Sequence, residues 1–261
     1  MTKRMPALFV SHGAPTLALE PGPTRGFLTQ ISSTFERPKG LLVISAHWEM
    51  PSPTLSSARR PETIHDFHGF PEALYAMRYS APGAPDLAVR AAQLLATAGL
   101  QVDATAERGL DHGAWVPLIL MYPEANIPVT QLSVQSTMGP AYHWRMGEIL
   151  RPLRDEGVLI IGSGSVTHNL EEFGRHRYDS APPAWVSEFN DWLRDALLLS
   201  DQPELTDYRA RAPHAVRNHP TEEHLLPLFA AAGAGTPGHT PQRLHAGYTY
   251  GVIGMDAWRF D

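Results

Sequence analysis

Short, unbroken apolar runs alternate along the chain with longer stretches in which apolar residues recur every three or four positions. The runs are Ala7 to Val10, Leu41 to Ser45, Pro128 to Val134 and Val158 to Gly162, and such segments suit strands buried on both faces. Between them, Pro85 to Ala98 closed by Gly99, Gly113 to Met121, Pro140 to Glu156 closed by Gly157, and Ala184 to Leu199 carry the helical pattern. This alternation predicts an α/β protein: a single domain over residues 1–261, with a central, largely parallel or mixed sheet flanked by helices on both faces. The tail GYTYGVIGMDAWRF, residues 247–260, alternates in places and reads as a closing strand or hairpin. No repeat or low-complexity linker divides the chain, and its 24 prolines are spread along it, marking structured loops and no single boundary.

In open parallel sheets, ligands bind at the carboxyl ends of the strands. Three of the runs lead straight to a histidine there: ALFV into SHGAP with His12, LLVIS into AHWE with His47, and VLIIGSGS into VTHNL with His168. One such residue is ordinarily structural, but three at equivalent ends converge on one edge of the sheet. A fourth histidine stands in HPTEEHLLPLF, residues 219–229. Thr221 suits an N-cap, Glu222 and Glu223 suit a first turn, and Leu225, Leu226 and Leu228 begin an apolar face, so a helix is expected to start here. That would put His224 in the first turn, where the helix dipole lowers imidazole basicity and favours the neutral, metal-binding form. Taken alone, His224 equally fits a solvated first-turn residue.

Composition narrows the chemistry. With no cysteine there is no disulfide, thiolate ligand or thiol nucleophile, so any metal must be held by imidazole and carboxylate. A net charge of −6, with 21 basic residues in no long block, argues against a nucleic-acid groove or an anionic membrane surface as partner. The apolar part of MTKRMPALFVSHG is too short for a signal segment or a membrane span, which reads as a cytoplasmic protein. GSGS, residues 162–165, lacks the lysine and spacing of a P-loop. No G-x-S-x-G elbow supports Ser11, Ser163 or Ser165 as a hydrolase nucleophile.

SHGAPTLALE, SAHWE, TIHDFHGFP, DHGAWVPLILMYP, GSGSVTHNL and HPTEEHLLPL, in this order from residue 6 to about 254, resemble the DODA-type (4,5-DOPA extradiol dioxygenase-like) branch of the class III extradiol ring-cleavage dioxygenases. The resemblance implies an enzyme that opens a catechol, DOPA-like or related, with both atoms of O2. It implies one divalent metal per chain, Fe(II) for ring cleavage or Zn(II) as isolated, and no organic cofactor. It further implies that His12, His47 and His224 bind the metal, with His168 beside it as acid/base and as a fourth ligand when zinc occupies the resting site. One departure stands out. Non-haem Fe(II) oxygenases commonly use two histidines and a carboxylate, whereas the third position here falls on His224, with Glu222 and Glu223 next to it. An all-histidine set suits Zn(II) as well as Fe(II).

Ring cleavage also accounts for the residue types chemically. A catechol must lose a proton to chelate a metal through both oxygens, and three protein ligands leave positions for it and for O2. Histidine is the side chain suited to take that proton near neutrality. His168, after the small-residue GSGS turn, fits the task and can return the proton as the ring opens. His112 in DHGAW offers a hydrogen bond to substrate or O2, while Asp111 equally suits a structural helix cap. In TIHDFHGFP, Phe67 and Phe70 offer an aromatic wall and His65 or His68 a contact to a substrate carboxylate; the competing reading is a packed, proline-terminated loop. Trp48 suits either the pocket wall or the core. His143 is expected to pack or face solvent, and His219 falls before the helix expected to carry His224; His176, His214, His239 and His245 have no context that raises them. Two other functions fit the same residues: a zinc hydrolase in which His168 activates a metal-bound water, and a non-catalytic binding protein of the same fold, against which the complete histidine set weighs.

Overall fold

The computed structural model describes residues 4–261, so the first three residues of the N-terminal stretch read above lie outside the described residues. Its centre is a parallel sheet made from the apolar runs: β1 (Ala7–Ser11), β2 (Gly40–Glu49), β5 (Val129–Val134) and β6 (Val158–Gly164), in the order β5-β2-β6-β1. Two three-residue strands, β3 (Thr54–Ser56) and β4 (Asp103–Thr105), extend one edge. β3 runs antiparallel to β5 through Leu55 opposite Leu132, and β4 runs parallel to β3. The other edge is closed by β7 (Gln242–His245) and β10 (Ala257–Phe260), the latter antiparallel to β1 with Ala7 opposite Phe260. Between them β8 (Tyr248–Thr249) and β9 (Ile253–Gly254) form a small hairpin, so the tail supplies both a hairpin and a closing strand.

Every residue of β1, β5 and β6 is buried, as expected of strands covered on both faces. Side chains alternate between two cores. Ala7, Phe9, Leu42, Ile44 and Ile160 pack with the helices Pro85–Thr97, Gly139–Leu150 and Leu226–Ala234. Leu8, Val10, Leu41, Val43 and Ile161 pack with Pro23–Ile31 and His112–Met121. Among the described residues no helix is long and apolar enough to cross a membrane.

Three boundaries differ from expectation. β2 continues past Ser45 to Glu49, so His47 stands within the strand and not in the loop after it. The single helix expected over 140–156 ends at Leu150 and passes into a 3-10 turn, Arg151–Arg154, because Pro152 has no N–H to continue the ladder. The last helix starts at Leu226, with a proline in its first turn, and not at Thr221. Residues 221–225 form turns closed by the Leu225 and Leu226 N–H groups on Glu222 O, and the Thr221 hydroxyl goes to Glu223. His224 therefore precedes the helix, and the dipole argument for it does not apply.

Candidate active site

β1 delivers His12. Its backbone N–H donates to Gly164 O on β6 at 3.0 Å, and the buried ring turns Nδ1 to Ser163 Oγ, 3.0 Å away. Ser163 gives its only proton to Gly113 O, since a carbonyl can only accept. His12 Nδ1 must then carry the hydrogen, which leaves a lone pair on Nε2.

His47 is placed by an irregular strand. The register of β2 against β5 shifts between Ile44 and Glu49, and such a bulge re-aims side chains. The His47 N–H donates to Ser45 Oγ at 3.2 Å, and Ser45 donates to Asp111 Oδ1 at 2.6 Å. Asp111 is fully buried and also accepts from the Ala114 N–H at 3.1 Å, Arg108 Nη2 at 2.6 Å and Gln131 Nε2 at 2.8 Å. One carboxylate thereby caps the His112–Met121 helix and ties it to β2 and β5. The cap read for Asp111 and a site position for His112 turn out to be compatible, with the His47 and His112 ring centroids 3.9 Å apart.

His224 rides on the 221–225 turn, pressed against β6. A Cβ on Gly164 would sit 2.1 Å from His224 O, and one on Gly162 2.2 Å from Pro227 O, so this approach requires glycine at both positions. His224 Nδ1 donates to Glu223 Oε1 at 2.8 Å, which again leaves the lone pair on Nε2. That atom is buried and has no hydrogen-bond partner among the described residues. An unpaired buried acceptor costs about 1–3 kcal/mol, and a cation is the partner it suits. The ligand nitrogens of His12, His47 and His224 all lie within 4.8 Å of one another.

His168 stacks on His224, with ring centroids 3.4 Å apart and planes 10° from parallel. Burial, followed by the nearby His219, pushes its imidazole down to about 3. Burial, then His112, brings His47 to about 4. Burial and the neighbouring imidazoles hold His12 and His224 well below the usual histidine range. All four rings are thus neutral at neutral pH, the state in which imidazole binds metal or accepts a proton.

The sequence reading passed over Asp66. Its Oδ1 accepts from both the backbone N–H (3.0 Å) and Nδ1 (2.9 Å) of His112, and its Oδ2 lies 3.6 Å from His47 Nδ1. Burial opposes ionisation, but the hydrogen bonds from His112 hold the Asp66 carboxyl down at about 2. The ionised Asp66 fixes the hydrogen of His112 on Nδ1. A cavity of about 400 Å³ opens over this cluster and is lined by His12, His47, Asp66, His112, His168 and His224 together with Phe67 and Phe70.

Three candidates, His65, His68 and Trp48, lie outside the cavity lining. His65 directs Nε2 to Met77 O at 3.1 Å and packs beside Trp115, outside the cavity lining. Trp48 is buried under the Arg108 guanidinium, 5.1 Å from its ring centroid, and does not line the cavity. Strand alternation carried the signal for Trp48, because neighbours of His47 point to the opposite face. His219 is fully buried with Nε2 on Val166 O at 2.9 Å, and His143 is buried.

A mixed-sheet α/β protein with an imidazole cluster at its parallel strand ends is the class that fold and site define. The family model described as the catalytic LigB subunit of aromatic ring-opening dioxygenase matches residues 6–256, and the chain belongs to this family, in its DODA-type extradiol branch. It is 43% identical over 256 residues to a 4,5-DOPA dioxygenase extradiol of Beta vulgaris, covering 97% of this chain and 95% of the relative. It is 42% identical over 234 residues to one from Escherichia coli K12, covering 88% and 85%. The crystal structure of an uncharacterized Escherichia coli K12 protein superposes with a TM-score of 0.83 at 34% identity, covering 99% of this chain and all of that one. The chain is accordingly an extradiol ring-opening dioxygenase, and dioxygenases of this family are metal-dependent.

Proposed function

We propose that the substrate is a catechol, DOPA-like or related, and that His12, His47 and His224 together hold one divalent metal ion, Fe(II) for ring cleavage or Zn(II) in its place, with no organic cofactor. The observation that carries the reading is the donor set: neutral imidazoles whose ligand nitrogens lie within 4.8 Å of one another, with Nδ1 of His12 and of His224 already spent on Ser163 and Glu223. Glu223 acts in this reading as the outer carboxylate that orients His224, an arrangement common around metal-bound histidine. When bound, the ion supplies Lewis acidity toward the catechol oxygens and an open position for O2.

The side chains of the chain do the remaining work. His168 is neutral and lines the cavity beside His224, where the anion left by a catechol hydroxyl would raise its depressed basicity, so that it takes that proton and returns it as the ring opens. Positioned acid/base groups of this kind contribute about 100 to 10,000-fold. His112, with its hydrogen held on Nδ1 by Asp66, presents Nε2 as an acceptor for the second hydroxyl. Phe67 and Phe70, 5.3 Å apart edge to face, offer an aromatic wall for the ring.

The test is anaerobic reconstitution with Fe(II), followed by O2-electrode assays across a panel of catechols. The expected result is stoichiometric uptake of O2 with ring-opened product, absent from the Zn(II)-loaded protein. Ester hydrolysis by the zinc form, with no O2 uptake from any catechol, would replace this reading by the hydrolase.

A further inference from the structure

Resting on the metal site proposed above, we infer that Asp66 is a positioning residue for it: one carboxylate oxygen receives the hydrogen of His47 on Nδ1 when a cation takes Nε2, while the other keeps His112 in the tautomer that presents Nε2 to the catechol. Two of the three proposed ligands already have an oxygen on Nδ1, Ser163 for His12 at 3.0 Å and Glu223 for His224 at 2.8 Å. His47 is the exception. Its Nε2 lies 2.9 Å from His12 Nε2, and because that atom carries a lone pair, the His47 hydrogen must sit on Nε2 and point at it. His47 Nδ1 is then a lone pair as well. The 3.6 Å between it and Asp66 Oδ2 is too long for a hydrogen bond, as two facing acceptors require. Among the described residues no other carboxylate pairs with the His47 ring.

The fold holds Asp66 ready for this exchange. The Ile64 N–H donates to Leu110 O at 2.7 Å and Trp115 Nε1 donates to Ile64 O at 3.0 Å, which pins the loop before Asp66 across the start of the His112–Met121 helix. Both hydrogen bonds from His112 fall on Oδ1, so Oδ2 stays free on the side of His47. A cation on Nε2 needs the lone pair there, and the hydrogen has to appear on Nδ1; the ring gains one hydrogen as it gives one up and stays neutral throughout. A small rotation of ring or carboxylate then closes the gap to Oδ2. Outer partners of this kind are worth ~10 to 100-fold in metal affinity. Asparagine at this position would keep an oxygen for His112 but turn an N–H donor toward His47 Nδ1, which holds the hydrogen on Nε2 and opposes the ion.

The experiment uses the full chain with nitrogen-15-labelled histidine and Zn(II) alone as the probe. Long-range proton–nitrogen correlation spectra read which ring nitrogen carries the hydrogen, with His47 assigned by its absence from His47→Gln, and competition against a chromophoric chelator gives the dissociation constant. The expected result is a His47 hydrogen on Nε2 in the metal-free chain and on Nδ1 with one Zn(II) bound, and a dissociation constant about 10 to 100-fold weaker in Asp66→Asn with unchanged far-UV circular dichroism. A His47 hydrogen on the same nitrogen in both forms, or an Asp66→Asn constant equal to that of the unaltered chain, overturns the inference and leaves the metal reading standing. If Asp66→Asn fails to fold, the tautomer readout on the unaltered chain decides alone. No Zn(II) bound by the unaltered chain overturns the metal reading and the inference with it.

Discussion

The Nε2 atoms of His12 and His47 face each other at 2.9 Å, although one ring stands just past the end of β1 and the other within β2. His12 brings a lone pair to that contact, because Ser163 holds its hydrogen on Nδ1. On the proposed metal site, a shared cation would take both nitrogens and also satisfy His224 Nε2. In His12→Ala, His47→Ala and His224→Ala, elemental analysis after reconstitution should show metal falling well below one ion per chain while far-UV circular dichroism is unchanged. Undiminished metal in all three variants would remove the site.

Ser163 acts one bond away. Ser163→Ala frees the His12 ring to rotate and exchange tautomers, so metal affinity should weaken by the ~10 to 100-fold typical of lost outer partners. Competition against a chromophoric chelator measures this, and an unchanged dissociation constant would show that β1 alone orients the ring.

His168 should separate from the other three histidines. His168→Gln is expected to keep its metal, since three imidazoles remain, while kcat drops by roughly 100 to 10,000-fold. A nitrocatechol, ionised before it binds, should still give the spectrum of the bound anion. Loss of metal as complete as in His47→Ala would instead make His168 a ligand.

His143, far from this cluster in sequence, predicts a pH-dependent stability. Its Nδ1 donates to Gly139 O at 2.8 Å, its Nε2 accepts from the Gln135 N–H at 3.1 Å, and burial pushes it from 6.5 down to about 4. Because the folded pKa lies below the unfolded one, the unfolded chain binds more protons between them, and stability is lost as pH falls through that window. The contribution is intact above about pH 6.5 and costs on the order of 3 kcal/mol by pH 4. Urea midpoints across pH 4.5–7 should fall less steeply for His143→Gln than for the unaltered chain. Parallel curves would contradict the assignment.

Much of the site could be read because buried parallel strands write themselves as unbroken apolar runs, and a histidine closing such a run marks the ligand-binding end. His12, His47 and His168 were visible that way. His224 was visible as a residue but not as a structure, because the Thr221, Glu222, Glu223 pattern imitates a helix start that Pro227 sets later. Asp66 left no signal: it sits in an aperiodic loop, and its partner His112 is 46 positions away. Ser163 and Glu223 act through tautomers, which only three-dimensional hydrogen bonding reveals. β3 and β4, at three residues each, are too short for alternation to register.

The strand order also sets a sequence of events. β6 lies between β1 and β2, so His12 and His47 meet only after a strand more than a hundred residues further along the chain has been synthesised and docked between their carriers. His224 follows later still. No local segment brings together two of the three proposed ligands, so the closures that would assemble the proposed metal site are long-range and intrinsically slow.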